Sequence, residues 1–125
     1  MLRHILVVDD SPIARLITKK CVSTAEPQCT LHEAVNGLDG VEKFKEINPE
    51  ITLMDLTMPV MGGIEALSEI KRIKPEAIII VATADMQEIT ISRAMAAGAY
   101  TVMQKPLSSQ ELCEIFQRIR ANGDG

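Results

Sequence analysis

The chain has 125 residues, the size of one compact domain with a single core. Hydrophobic residues make up 46% and aromatics 2%, so that core is built from Ile, Leu, Val, Met and Ala. The net charge of −4 argues against a general nucleic-acid binder, which needs a basic patch to neutralise phosphates, and no apolar run reaches the length of a membrane span.

Met1-Leu2-Arg3-His4 leads straight into an apolar run without a signal-peptide pattern of basic, apolar and small residues. A cytoplasmic protein without membrane insertion is therefore expected. Cys21, Cys29 and Cys113 are odd in number and lack CxxC spacing, which favours small packing residues over a disulfide framework or a zinc site.

Short apolar runs alternate with segments of helical period, the signature of an α/β fold with a parallel sheet. The first strand is expected over 4–8. Ser11 is a candidate N-cap and Pro12 the first residue of a helix with Ile13, Ile17 and Cys21 on one face, broken at Glu26-Pro27. The second strand, 30–34, is the least apolar and suits an edge. Asn36-Gly37 reads as a turn before a helix with Leu38, Val41, Phe44 and Ile47 on a shared face. The third strand, 51–54, precedes a loop and a helix carrying Ile64, Leu67 and Ile70 inward. The fourth strand, 78–81, is apolar throughout and expected inside the sheet. A helix over 86–97, with Ile89 and Ala96 among its small residues, closes at Gly98. The fifth strand is expected over 100–103, and a last helix from Ser108 or Ser109 buries Leu112, Ile115, Phe116 and Ile119. One domain over 1–122 and a disordered tail over 123–125 follow.

Asp9 and Asp10 end the first strand and Asp55 follows the third. Ligands of open parallel sheets bind at the carboxyl edge of the strands. Two carboxylates about 5 Å apart repel by roughly 3 kcal/mol at an effective dielectric of 20, so the trio predicts raised pKa values or a bound divalent metal. The ordinary explanations are acids meeting a helix dipole at Asp9-Asp10 and a turn-forming Asp at 55. The functional one makes Asp55 a nucleophile able to form an aspartyl-phosphate beside Mg²⁺, which takes one or two carboxylates plus phosphate. Thr83 adds a hydroxyl after the fourth strand, and Lys105 a point charge for a phosphoryl group after the fifth, before Pro106 in a bond that is a candidate cis peptide.

Asp9-Asp10, Asp55 with Met58-Pro59 and Gly62-Gly63, Thr83, Lys105-Pro106, and Glu33-Ala34 with Asn36-Gly37 closely resemble the receiver domain of two-component response regulators, of the stand-alone chemotaxis type. The resemblance spans essentially the whole chain. It implies a flavodoxin-like, doubly wound five-stranded parallel sheet of order 2-1-3-4-5 with five helices. It further implies that Asp55 accepts a phosphoryl group from a histidine kinase or a histidine phosphotransfer protein. Mg²⁺ would be held by Asp9, Asp10, Asp55 and the backbone carbonyl of Thr57. Lys105 would pair with the phosphoryl oxygens and Thr83 would swing inward to hydrogen-bond them. The domain would promote its own phosphorylation and dephosphorylation rather than act as an enzyme. It would signal through the face of helix four, strand five and helix five.

The chain departs from many receivers in having Val102 three positions before the lysine, where an aromatic switch residue stands; Tyr100 falls two residues earlier and is expected on the same strand face. Asp85, two residues after Thr83, is expected to tune phosphoryl lifetime. Arg15, Lys19 and Lys20 on helix one form a candidate docking face for the histidine donor. Alternatives are a phosphorelay intermediate, an excised receiver of a longer DNA-binding regulator, a metal-dependent aspartyl phosphatase, disfavoured because Thr57 stands where a general acid is needed, and a flavin-binding protein, disfavoured because the acidic pair would repel the cofactor phosphate.

Overall fold

The computed structural model describes residues 2–123. Five strands and five helices alternate: β1 (His4–Val8), α1 (Pro12–Ala25), β2 (Thr30–Ala34), α2 (Gly37–Ile47), β3 (Ile51–Asp55), α3 (Gly63–Ile73), β4 (Ile79–Thr83), α4 (Glu88–Ala96), β5 (Thr101–Gln104) and α5 (Ser109–Gly123). All strand pairs are parallel, in the order β2-β1-β3-β4-β5. β3 is the middle strand, and β2 is an edge, as its polarity predicts. Of the expected tail, Gly123 closes α5, while residues 124 and 125 lie outside the described residues.

Alternation along the strands splits the core in two. Ile5, Val7, Leu53 and Ile80 meet Val22 of α1 and Leu112, Phe116 and Ile119 of α5. Leu6, Val8, Met54, Ile79 and Val81 meet Phe44 of α2, Leu67 and Ile70 of α3 and Ala94 of α4. The inner strands β1, β3 and β4 are buried on both faces, so the hydrophobic effect fixes their register at nearly every residue. That register sets β1 against β3 with Val8 opposite Met54, and therefore brings the residues after Val8 beside Asp55.

The helix ends follow their local chemistry. Ser11 accepts from the Ala14 N–H (3.2 Å) and Pro12 opens α1. Asn36 is not a turn residue: its side chain accepts from the Asp39 N–H (2.8 Å) and caps α2, of which Gly37 is the first residue. Gly98, at φ 110°, follows α4, with its N–H bonded to the Met95 carbonyl and that of Ala99 to the Ala94 carbonyl, a Schellman ending.

The expected inner face of α1 is corrected. Ile13 is 72% and Ile17 44% exposed, and the helix buries Thr18, Cys21, Val22 and Ala25 instead. A four-residue step turns 400°, so Ile13 and Cys21 stand about 80° apart around the axis and cannot share a narrow contact. Leu38 of α2 is exposed for a similar reason, with Gly40, Val41 and Phe44 facing the sheet. Ile89 and Ala96 of α4 are exposed, and Ala94 is the buried position. Tyr100 and Val102 do not share a face: Tyr100 packs with the α1–α5 layer and Val102 with the α2–α4 layer. Tyr100 precedes β5, so strand alternation does not govern it.

Two glycines let the β3–α3 loop lie close against its neighbours. A Cβ on Gly63 would stand 2.1 Å from the Asp55 carbonyl oxygen, and one on Gly37 2.1 Å from that of Met61. Gly62, by contrast, has 3.7 Å of room. Gly63→Ala is expected to cost about 2 kcal/mol through overpacking, while Gly62→Ala stays within about 0.5 kcal/mol of wild type. Urea denaturation of the two variants checks the contrast, and equal losses would contradict it.

Candidate functional site

The carboxyl ends of β1, β3, β4 and β5 converge on one cluster. Asp9 is 3% and Asp55 8% exposed, Asp10 is exposed, and carboxylate oxygens of all three lie within 4.8 Å of one another. Lys105, one residue past β5, places its Nζ 2.6 Å from Asp9 Oδ2 and 3.1 Å from Asp55 Oδ1. The strand ends thus deliver one cation between two buried anions. The Lys105–Pro106 bond is cis.

Each group is held from behind. Asp9 Oδ1 accepts from the Ser11 N–H (2.9 Å), leaving Oδ2 for Lys105. The Asp9 backbone carbonyl accepts from Arg15 Nη1 (2.7 Å), and Arg15 Nε and Lys19 Nζ both donate to Glu33 of β2 (3.0 and 2.8 Å). Those donors hold the Glu33 carboxyl below the usual carboxylate range, the Lys19 hydrogen bond most of all. Arg15 and Lys19 are therefore tied to β2 and to the acidic site, while the exposed large hydrophobic side chains of α1 are Ile13, Leu16 and Ile17.

The loop after Asp55 is pinned at three points: Gly37 N–H to the Met61 carbonyl (3.1 Å), Gly63 N–H to that of Leu56 (3.0 Å) and Met61 N–H to that of Pro59 (2.8 Å). Within it Val60 sits at φ 71°, which costs a β-branched residue about 1–2 kcal/mol. Thr57, two residues beyond Asp55, lies exposed in this loop.

Thr83 is the last residue of β4 and 3% exposed. Its Oγ accepts from the Asp85 N–H (3.0 Å), which leaves its hydroxyl proton free to be donated. The Asp85 carboxylate turns away from the cluster. It accepts from the Gln87 N–H (3.0 Å) and the Thr90 hydroxyl (2.7 Å) at the start of α4, and these bonds, Thr90 first, hold its pKa below the usual carboxylate range. All six residues singled out from the sequence thus lie on the same edge, five of them at or beside strand ends. The sequence reading missed Ser11, Arg15 and Thr90 as supports; an Arg or Thr five or six residues after an acidic residue carries no distinctive signal.

Burial pushes the Asp55 carboxyl above its ordinary pKa against the pull of Lys105, and the charges of Asp9 and Asp10 add to the rise. Burial alone would lower Lys105, but the Asp9 hydrogen bond and the Asp55 charge outweigh it and raise the ammonium's pKa. The donor set is hard oxygen with a net negative charge, which suits Mg²⁺.

A carboxyl whose folded pKa is raised binds its proton more tightly folded than unfolded. Its stability contribution is full below the ordinary value near about 4 and falls as pH rises through the folded value. In Mg²⁺-free buffer, Asp55→Asn is expected to melt higher than wild type at pH 7 and to lose that advantage below about pH 4. Thermal melts at the two pH values test this, and identical Tm at pH 7 would contradict it.

Comparison with known proteins bears on the whole chain. The response regulator receiver domain family matches residues 5–117. The chemotaxis protein CheY of Thermotoga maritima is 38% identical over 117 residues, covering 94% of this chain and 97% of that one. A CheY-like receiver domain protein from Methanospirillum hungatei superposes with a TM-score of 0.87 over the full length of both chains at 23% identity, which supports the fold. CheY in the CheX–CheY–BeF3–Mg²⁺ complex of Borrelia burgdorferi superposes with a TM-score of 0.79 at 28% identity, over 95% of this chain and 87% of that one. With its five-stranded sheet of order 2-1-3-4-5 and the acidic cluster on its carboxyl edge, the chain belongs to the response regulator receiver domains of two-component signalling, of the CheY-like kind.

Proposed function

We propose that this chain is a phosphorylation-driven switch in which Asp55 accepts a phosphoryl group from the phosphohistidine of a sensor histidine kinase or histidine phosphotransfer protein. The observation that carries the reading is the Lys105 ammonium set between the buried carboxylates of Asp9 and Asp55. An Asp55 oxygen attacks phosphorus while the phosphorus–nitrogen bond of the donor breaks. Asp9, Asp10, Asp55 and the Thr57 carbonyl would hold Mg²⁺, which when bound neutralises charge between nucleophile and phosphoryl group. Lys105 already stands within reach of Asp55 and follows the incoming phosphoryl oxygens. Thr83 turns its hydroxyl from the Asp85 N–H to a phosphoryl oxygen. Catalysis is by positioning and charge neutralisation, and the domain acts on itself rather than on a separate substrate.

Residues 1–122 form the receiver in this reading, working in the cytoplasm. Among the described residues no helix is long and apolar enough to cross a membrane. The donor docks on α1, where exposed Ile13, Leu16 and Ile17 adjoin the site, with Lys20 as the basic residue of the expected face that is exposed. Output runs through a protein partner on α4, β5 and α5, where Ile89 and Met95 of α4 are exposed. Val102 packs in the same core layer as Ala94 and Ala97, so movement of Thr83 reaches this face through Asp85 and Thr90 rather than through an aromatic at 102.

Incubation with a small acyl phosphate and Mg²⁺ is expected to add one phosphoryl group by intact mass. Omission of Mg²⁺ or Asp55→Asn should abolish the gain. A gain that survives Asp55→Asn would refute the assignment of the acceptor. Asp85→Ala is expected to loosen the entry to α4 by removing the acceptor of the Gln87 N–H and the Thr90 hydroxyl and to change the dephosphorylation rate measured by release of inorganic phosphate. An unchanged rate in a variant with a lowered Tm would confine Asp85 to holding the entry to α4.

A further inference from the structure

The chain's two histidines, His4 at the amino end of β1 and His32 in the middle of β2, stand together on the sheet. The β1–β2 register places His4 opposite Thr30 and His32 opposite Leu6. His4 and Leu6 are two apart on β1, so both imidazoles project from the same sheet face as diagonal cross-strand neighbours. Both residues are half-buried. His4 Nδ1 lies 3.0 Å from His32 Nε2, with ring centroids 5.2 Å apart and planes inclined by 38°. The backbone around His4 is fixed: its N–H donates to Glu50 Oε1 (2.7 Å) and its carbonyl accepts from the Glu50 N–H (2.9 Å).

The geometry points to a two-imidazole chelate for a divalent transition-metal cation of the Ni²⁺ or Cu²⁺ class, built across the β1–β2 pair. Metal–nitrogen bonds of about 2.0–2.1 Å put two ligands at right angles about 2.9 Å apart, and two ligands of a tetrahedral site about 3.3 Å apart. The observed 3.0 Å lies within about 0.3 Å of either bite, and neutral imidazole donors favour Ni²⁺ and Cu²⁺, which stand high in the divalent affinity order. The strands supply the preorganisation, because the two side chains are already held in register by the sheet and no loop has to be ordered on binding. Without a cation, neutral rings share one N–H···N hydrogen bond. On binding, the donating ring carries its proton on its other nitrogen, so both facing nitrogens offer lone pairs and no proton is lost. Water fills the remaining positions. The imidazole donors separate this site from the all-oxygen cluster, which prefers Mg²⁺, and the inference does not rest on the phosphorylation chemistry.

The test is a Ni²⁺ titration of the whole chain in saturating Mg²⁺, followed by calorimetry and by proton NMR of the two histidine rings. One Ni²⁺ per chain is expected, with paramagnetic broadening of both ring signals together. Folding of the variants is checked by circular dichroism, and His4→Gln or His32→Gln should each weaken binding about tenfold or more. Broadening of one ring alone, or of neither, would overturn the proposal without any variant. So would full-affinity Ni²⁺ binding in both single variants.

Discussion

Mutual repulsion of three carboxylates at the ends of two adjacent strands is the constraint that the rest of the architecture answers. Asp9 and Asp55 are buried and close, an arrangement that opposes folding unless cations or hydrogen-bond donors compensate. Lys105 supplies the first cation from the far side of the sheet. It can do so only because β5 runs parallel to β4 and ends level with it, with Gln104 opposite Thr83. The Ser11 N–H and the Arg15 guanidinium supply further donors from the start of α1. The apolar sheet therefore acts as a jig: its burial energy is what holds like charges together.

The same constraint explains the neighbouring devices. Arg15 and Lys19 fasten α1 to Glu33, and so fix the helix whose first residues cradle Asp9. At its other end α1 is tied to α5 by the Glu26–Arg120 ion pair. The tight seating of Gly63 on the Asp55 carbonyl and of Gly37 on Met61 leaves the loop after Asp55 little freedom. Val60 is held in a disfavoured conformation within that loop, which places part of the local energy in the segment that follows Asp55. Thr83 and Asp85 differ in kind. Their bonds lead away from the cluster to the first turn of α4, and each is a single exchangeable hydrogen bond rather than a buried contact.

Strand identity and the acidic edge were legible because both rest on local pattern, whereas β4 ends at Thr83, two residues beyond its expected end at 81, and β5 at Gln104, one beyond 103. A short apolar run bounded by turn signals is consistent with a buried strand, and two such runs in this chain end in carboxylates. The inner face of α1 was not legible, because Ile13, Leu16 and Ile17 satisfy helical periodicity as well as Thr18, Cys21 and Val22 do, and only packing against α5 decides between them. The side-chain direction of Tyr100 failed for a related reason: the alternation rule holds inside a strand, and Tyr100 stands one residue outside it. Asn36 reads as a turn residue by composition, yet its side chain finds the open N–H groups of α2, and capping and turning draw on the same chemistry. The support of Asp9 by Arg15 is long-range in consequence though short in sequence, and nothing in the spacing marks it.

The charge count around Lys105 limits what kind of signal this edge can send. Three carboxylates and one ammonium leave a formal charge of −2 at rest. A divalent cation would cancel it, and conversion of one carboxylate to an acyl phosphate dianion would then restore a single negative charge. A difference of about one charge is screened within roughly 8 Å at physiological ionic strength. Partners on α4 or α5 would therefore feel little of the field of the modified site. In the proposed switch, what would travel further is the exchange of one short-range bond for another at Thr83, a change of geometry rather than of potential.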